Sequence, residues 1–355
     1  MHWSFFAVAA LGLLLAHGLK LPRAGSRFIS ATAFIVGLLI TAFLIKSFAT
    51  ANGIGRTTDF DRFVNAAVVE VSQDYAPIIV FTGASYSRNG IDPERLTLAL
   101  RERGYPHRVV SLSIEAASIL ERDQHLQQFI ELSGKVPDLV FIEVAEDFDH
   151  RAAYMFGNSK FSMRAIEQFD LPTSAWTGFG ILGGACQGLK GCVLDAGYLG
   201  LHTALNVLNV GLIGSGERSA SVKAVPAYDP QSEPRAASEH TLSLKSAPAS
   251  IYQGPQWIRS FRYQQQNRLL AQGTRAIAYY QPPTLDPDAR AYIDGLCEGE
   301  LFAFDCFSPN DPQLMAQLNG DYWFDSSHLL DDGTAIYNAW LAQEIIASGM
   351  LERRQ

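Results

Sequence analysis

Short apolar runs rich in β-branched residues alternate with helical patterns along two parts of this chain. Each run is bounded by turn residues, which is typical of a strand buried on both faces of a sheet. Strands separated by helices pair in parallel, and the helices then cover both faces. The sequence therefore predicts an α/β fold with a mostly parallel sheet, whose strands lie at residues 77–81, 108–113, 139–144 and 275–280.

Helix boundaries lie between these strands. Asp92 and Pro93 begin a helix that Gly104 ends, because an acidic cap, a proline in the first turn and a glycine after the last turn are typical of helix ends. The patterns predict further helices at residues 116–133, 255–272, 286–296 and 332–348, and a short strand at 301–304.

An insertion at about residues 150–254 separates the two α/β parts. Its first part, 176–213, is rich in glycine and apolar residues, whereas its second part, 215–250, has the Ser/Ala/Pro-rich composition of a mobile loop. The sequence leaves four interpretations of the apolar part open: a helical subdomain that closes the core, a cap over a site, a surface that lies on the membrane, or a docking surface.

Two apolar stretches precede the domain, at residues 3–19 and 28–45. The second carries no charge over its 18 residues, which is near the minimum for a membrane-spanning helix. The first is shorter and also fits a re-entrant or interfacial segment. Lys20, Arg23 and Arg27 lie between the stretches, and the positive-inside tendency places them in the cytoplasm.

One or two N-terminal transmembrane helices are therefore expected before the α/β domain, which would lie outside the cytoplasm. The predicted organisation is a membrane anchor at residues 1–48, in the form of a helical hairpin, a linker at 49–75 and a domain at 76–355.

Four cysteines form two local pairs in the sequence, Cys186 with Cys192 and Cys297 with Cys306. Four cysteines allow three disulfide connectivities, and the sequence does not choose among them. Local pairing is the simplest, and an oxidising compartment permits it. A zinc site is the alternative, although neither pair has the C-x-x-C spacing and no histidine lies inside either.

The formal net charge of -8 and the lack of a basic stripe argue against a nucleic-acid partner, because phosphate binding needs clustered Lys and Arg.

Two short motifs carry candidate chemistry. Ser85 follows the first predicted strand on a turn that contains Gly83, at the edge of the sheet where substrates bind in open α/β folds. Asp325 precedes His328 by three residues, just before the last helix. A serine hydroxyl needs an imidazole to accept its proton, and the imidazole needs a carboxylate to fix its tautomer. The alternative is a capped turn with a surface histidine.

In these two motifs the chain resembles the SGNH (GDSL-like) hydrolase superfamily, a three-layer sandwich fold. The resemblance rests on Gly83-Ala84-Ser85 and on Asp325-Ser326-Ser327-His328, and it covers residues 76–148 and 255–349. The run TGASYSRNGIDPERLTLAL is similar to the envelope members, such as the proteins of alginate O-acetylation and teichoic-acid D-alanylation. The resemblance implies that Ser85 is the nucleophile, His328 the general base and Asp325 the orienting acid.

The same resemblance implies an O-acyltransferase, commonly of acetyl groups, that acts on an exported or envelope polysaccharide at the periplasmic side of the inner membrane. A membrane-bound O-acyltransferase partner would supply the acyl group, and the serine step needs no soluble cofactor. Two alternatives stay open: an O-acyl esterase of the same substrates, and a catalytically silent member that binds glycan or scaffolds a complex.

The chain departs from the family at the groups that stabilise the oxyanion. Ala84 stands where aspartate is usual, residues 111–115 lack the glycine block, and residues 143–148 replace the block that carries asparagine. Loss of one oxyanion donor costs about 2.7–4 kcal/mol of transition-state stabilisation. Either other donors compensate, such as the Ser85 backbone N–H with Ser113 or Asn89, or hydrolysis is slow, which would suit a transferase that keeps its acyl-enzyme from water.

Glu143, Glu146 and Asp147 follow the third predicted strand, and clustered carboxylates of this kind can bind a cation. The interpretation that we favour from sequence is a solvated acidic loop, so no metal site is predicted.

Overall fold

The computed structural model describes residues 25–51, 59–115, 117–145, 147, 169–182, 186, 188–208, 228–233, 256–299, 305–318 and 320–351. The chain divides into two compact units, one formed by residues 1–59 and 156–223 and the other by 60–155 and 224–355. Three predictions fall outside the described residues: the apolar stretch at 3–19, the strand at 301–304 and the role of Glu146.

The described residues form eleven α-helices and five strands. The helices are α1 (Gly25–Ala51), α2 (Asp59–Ser72), α3 (Ser85–Gly90), α4 (Pro93–Glu102), α5 (Ile119–Ser133), α6 (Leu171–Gly180), α7 (Gly188–Leu208), α8 (Gln256–Gln272), α9 (Pro287–Glu298), α10 (Pro312–Gln317) and α11 (Asp331–Ala347). The strands are β1 (Ile78–Thr82), β2 (Arg108–Ser111), β3 (Leu139–Glu143), β4 (Ala276–Tyr280) and β5 (Asp305–Phe307).

The five strands form one parallel sheet in the order β2-β1-β3-β4-β5. The predicted α/β class and parallel sheet are therefore confirmed. Four strands lie within two residues of their predicted bounds, and β5 begins directly after the predicted segment at 301–304.

Helices cover both faces of this sheet, because alternate residues of each strand face opposite sides. Ile78 and Val80 of β1 belong to a core that includes residues from α2, α5, α8 and α9. Ile79 and Phe81 of the same strand belong to a second core with residues from α4, α10 and α11. Two cores on one sheet give three layers, in agreement with the predicted sandwich.

The segment predicted as a linker, residues 49–75, contains helix α2 instead. The apolar residues Phe63, Val64, Ala67 and Val71 of this helix are buried in the first core. Their spacing of three or four residues is that of one face of an amphipathic helix, a pattern that the linker interpretation overlooked.

The helices that were predicted in the α/β parts begin and end within three residues of their expected bounds. The Asp92 carboxylate accepts hydrogen bonds from the backbone N–H groups of Glu94 and Arg95, so that α4 begins at Pro93. Ser118 and Glu121 form a reciprocal capping box at the start of α5, and Gly134 ends that helix in the left-handed conformation.

Helices α1, α6 and α7 belong to the other compact unit. They line an apolar cavity of about 860 Å³, whose wall includes Ile40, Phe43, Phe179, Leu182 and Leu199. Among the described residues, no helix combines the length and the apolarity that a membrane span requires. Helices α6 and α7 lie in the insertion, whose role among the four interpretations stays a prediction.

Both local cysteine pairs are disulfides. Cys186 is bonded to Cys192, with the Cα atoms 4.9 Å apart, and Cys297 is bonded to Cys306, with the Cα atoms 5.2 Å apart. Local pairing is therefore confirmed, and the zinc alternative for these cysteines is wrong. The second bond joins α9 to β5 at one edge of the sheet.

Candidate active site

The candidate site lies where the strand order of the sheet reverses. Strand β1 has β2 on one side and β3 on the other. From β1 the chain crosses to β2 on one side, whereas from β3 it crosses to β4 on the opposite side. Crevices at the carboxyl ends of such neighbouring strands are the usual ligand sites of open α/β sheets. Ser85 follows β1 at this edge, and Glu143 is the last residue of β3.

Ser85 is the first residue of the short helix α3 and is partly exposed. Gly83 in the preceding turn allows a close approach: a Cβ atom at this position would overlap the Ser87 side chain and the Glu143 carboxylate. The Gly83 backbone is not in the left-handed region. Glycine at this position therefore provides space for the Ser87 and Glu143 side chains beside the turn, rather than an unusual backbone conformation.

His328 and Asp325 form a hydrogen-bonded pair. Nδ1 of His328 lies 2.8 Å from Oδ1 of Asp325, which also accepts the Ser327 backbone N–H at 2.8 Å. Burial alone would raise the pKa of Asp325, but the hydrogen bonds from His328 and Ser327 outweigh it, and the pKa lies below its ordinary value. The carboxylate is therefore ionised at neutral pH and can fix the imidazole tautomer with hydrogen on Nδ1.

The loop that carries this pair is held at both ends. Trp323 and Leu329 form an antiparallel bridge, and the Phe324 N–H donates to the His328 carbonyl at 2.9 Å. The Ser326 carbonyl accepts the backbone N–H of Leu285, from the segment that follows β4, at 2.8 Å. These bonds fix the loop against the same end of the sheet that carries Ser85.

The fold brings the two sequence motifs together. The ring of Tyr86, the residue after Ser85, lies 5.5 Å from the imidazole of His328 between centroids. Helix α11 is bonded to α3 through the Thr334 hydroxyl, which donates to the Asn89 carbonyl at 2.8 Å, and through the Asn338 amide, which donates to the Gly90 carbonyl at 2.8 Å.

No hydrogen bond between Ser85 and His328 is present among the described residues. Within the same residues, Nε2 of His328 is shielded from solvent and has no hydrogen-bond partner, although the ring as a whole is partly exposed. Catalytic hydrogen bonds are often long in unliganded enzymes and tighten when substrate binds. The Ser85 to His328 proton transfer stays a prediction.

Comparison with protein-family models, with curated proteins and with solved structures finds no match to this chain. Function is therefore inferred from the site itself.

The predicted oxyanion donors lie near the turn, but two already have partners. The Asn89 amide donates to the Asp229 carbonyl at 2.6 Å. The Ser113 hydroxyl is fully buried and accepts a hydrogen bond from Ser111 at 3.1 Å. The Ser85 backbone N–H lies at the start of α3. The roles of all three as oxyanion donors stay predictions.

The interpretation of residues 143–147 as a solvated acidic loop is wrong for the two acids that the structure describes. Glu143 is completely buried and has Arg122 Nη1 at 3.2 Å from Oε1. Asp147 is buried as well and forms a two-point ion pair with Arg262, at 2.6 and 2.7 Å. Burial would lower the pKa of Arg262, but Asp147 outweighs it and raises that pKa.

Sequence reasoning missed what Glu143 does. Its Oε2 accepts the backbone N–H of Ala84 at 3.1 Å and that of Ser87 at 3.0 Å, and it also accepts the Ser87 hydroxyl. The available signal was an acid at the end of a strand that is otherwise apolar and buried, LVFIE. A buried carboxylate needs such partners, and the turn after the neighbouring strand supplies them.

Residues 228–233, here called the strap, join helix α3 to the start of helix α11. The Asp229 backbone N–H donates to the Arg88 carbonyl at 3.0 Å, and the Tyr228 hydroxyl donates to the Asp331 carboxylate at 2.5 Å. The Asp331 N–H donates to the Gln231 carbonyl at 2.9 Å. The expectation of a mobile loop over residues 215–250 therefore does not hold for the strap.

Proposed function

We propose that this chain is a membrane-anchored, serine-dependent O-acyltransferase of the SGNH type that modifies an exported or envelope polysaccharide. Ser85 takes the acyl group, commonly acetyl, and passes it to a sugar hydroxyl. His328 accepts the proton first from Ser85 and then from the acceptor, while Asp325 keeps the imidazole oriented. A membrane-bound O-acyltransferase partner delivers the acyl group.

The observation that carries the proposal is the state of the His328 ring. One nitrogen is bonded to an ionised Asp325, whereas the other has no partner among the described residues and the ring lies beside the residue after Ser85. A general base needs this arrangement, because the second nitrogen must be free to accept a proton. What distinguishes His328 from the other shielded ring nitrogens is the Asp325 hydrogen bond together with the adjacent Tyr86 ring.

The proposal also includes the cellular location of the protein. Two disulfides support an oxidising compartment, such as the periplasm. The proposed anchor in the inner membrane rests on the uncharged sequence at residues 28–45 alone, because no described helix meets the requirements of a membrane span.

Transfer and hydrolysis are separated by one experiment on the full-length protein. A chromogenic acetyl ester serves as donor, with and without an oligosaccharide acceptor, and both acetylated sugar and free acetate are measured. The proposal predicts acetylated sugar that is lost in Ser85→Ala. Release of acetate at one rate in both reactions, without sugar product, would identify an esterase instead.

A catalytically silent glycan-binding or scaffold protein is the second candidate. It is favoured by the missing Ser85 to His328 hydrogen bond and by Ala84, which stands where the family has aspartate. Failure of Ser85 to react with a fluorophosphonate, together with unchanged polymer acylation in cells that carry Ser85→Ala, would establish it.

A further inference from the structure

The turn that presents Ser85 has no local cap. Ala84 occupies the N-cap position of α3, and its side chain makes no capping hydrogen bond. A capping side chain normally accepts the N–H of the second or third helical residue, which in α3 is Tyr86 or Ser87. Alanine cannot accept, so the bond must come from elsewhere.

Glu143 supplies that bond from the end of the neighbouring strand. Its Oε2 lies 3.0 Å from the Ser87 N–H, the third residue of α3, and 3.1 Å from the N–H of Ala84 itself. These bonds are made on both sides of Ser85, one residue before it and two residues after it. A charged acceptor makes each of them stronger than a neutral acceptor would.

Several features show that the site is built around this carboxylate. Gly83 leaves the space that the carboxylate occupies, and the Arg122 guanidinium balances its charge. The Tyr280 hydroxyl from β4 lies 2.5 Å from the Ser87 hydroxyl. Burial and the nearby Glu143 charge together raise the pKa of Tyr280 well above its ordinary value, so the phenol stays neutral.

We propose that Glu143 is the positioning residue of the nucleophile: it acts as a remote N-cap that fixes the Ser85 turn in the place of the missing aspartate at position 84. This inference rests on the proposed function, since it concerns the geometry of the same serine. Glu143 does not contact the substrate. Glu143 holds the backbone on both sides of Ser85 at a fixed distance from the end of β3.

The test is the rate at which a fluorophosphonate labels Ser85 in the full-length protein, with Glu143→Gln as the variant. Glutamine keeps the shape and one oxygen but loses the charge. The rate constant of labelling at saturating probe reports the placement of Ser85. The dependence of the labelling rate on probe concentration reports probe binding, and the final labelled fraction reports how much of the protein is folded. A displacement of about 1 Å costs on the order of 10²-fold in rate.

We expect Glu143→Gln to lower the saturating rate constant by about 100-fold, with probe binding and the labelled fraction unchanged. Asp123→Asn is the matched control, because it makes the same carboxylate-to-amide change at a buried acid of α5 that pairs with Arg268 rather than with the Ser85 turn. It should label at the wild-type rate.

Glu143→Gln removes one side of the buried Arg122–Glu143 ion pair, a change that strongly destabilises folded proteins. The double variant Glu143→Gln/Arg122→Met removes both charges and should show the same loss of rate. If the folded fraction of either variant labels at the wild-type rate, the positioning role is overturned. If the wild-type protein is not labelled at Ser85, the proposed function itself is overturned, and this inference with it.

Discussion

Oδ1 of Asp325 lies 2.8 Å from Nδ1 of His328, and the opposite nitrogen of that imidazole has no hydrogen-bond partner among the described residues. An imidazole held on one side and free on the other is prepared to accept a proton. The Ser85 turn lies close to this ring, because the Tyr86 ring is 5.5 Å from the imidazole between centroids.

Replacement of Asp325 by asparagine should lower the rate of acyl transfer by about 10²–10⁴-fold, because the amide no longer stabilises the charged imidazole. The measurement is the turnover of an acetyl ester by the full-length variant. Ser326→Ala is the control, since Ser326 is exposed and its contacts in this loop are made by its carbonyl oxygen. A variant at 325 that turns over as fast as the control would remove Asp325 from the mechanism.

The lowered pKa of Asp325 also predicts how stability depends on pH. A carboxyl whose pKa is lower in the folded state stabilises the protein above its unfolded pKa, about 3.9, and this contribution is lost as the pH falls through the folded pKa. Urea unfolding should therefore show wild type more stable than Asp325→Asn at pH 7. The difference should shrink below about pH 4. If the stability difference between wild type and Asp325→Asn were the same at pH 7 as below about pH 4, the Asp325 carboxylate would not be its source.

Substitution of Gly83 by alanine should destabilise the protein by about 1–3 kcal/mol, because the added methyl group overlaps buried side chains that have no space to move into. Those side chains are Ser87 and the Glu143 carboxylate. Gly320→Ala is the matched control, since a Cβ there meets nothing within 4 Å. Equal urea midpoints for the two variants would contradict the packing described here.

The strap should come loose when Asp331 is replaced by asparagine. Asp331 accepts the Tyr228 hydroxyl and is paired with Arg95 at 2.8 Å. Hydrogen exchange of residues 228–233 should then become faster, while the exchange of β1 and β3 stays as in wild type. Substitution of the exposed Asp321 by asparagine provides a control for loss of one surface charge. Unchanged exchange in the strap would mean that other contacts hold it.

The sheet could be predicted from the sequence because its strands are buried on both faces and therefore appear as continuous apolar runs. Helix ends followed from local signals such as the Asp92 cap, which act within a few residues. The Asp325 and His328 pair could be predicted for the same reason, since one local turn brings the two side chains together.

Glu143 could not be predicted in this way. Its partners, Ala84 and Ser87, lie more than fifty residues away along the chain, and only the pairing of β1 with β3 makes them neighbours. Local sequence suggested a solvated acid, whereas the burial of its carboxylate is decided by the sheet. The strap was missed for a similar reason, because its contacts are with α3 and α11 rather than within its own segment.

The roles of Ser85 as nucleophile and His328 as general base are tested by the site and rate of fluorophosphonate labelling, with the modified peptide identified by mass spectrometry. We predict one adduct, on Ser85, that is absent in Ser85→Ala and forms far more slowly in His328→Ala. An adduct on another residue, or equally fast labelling of Ser85 without the imidazole, would contradict these roles.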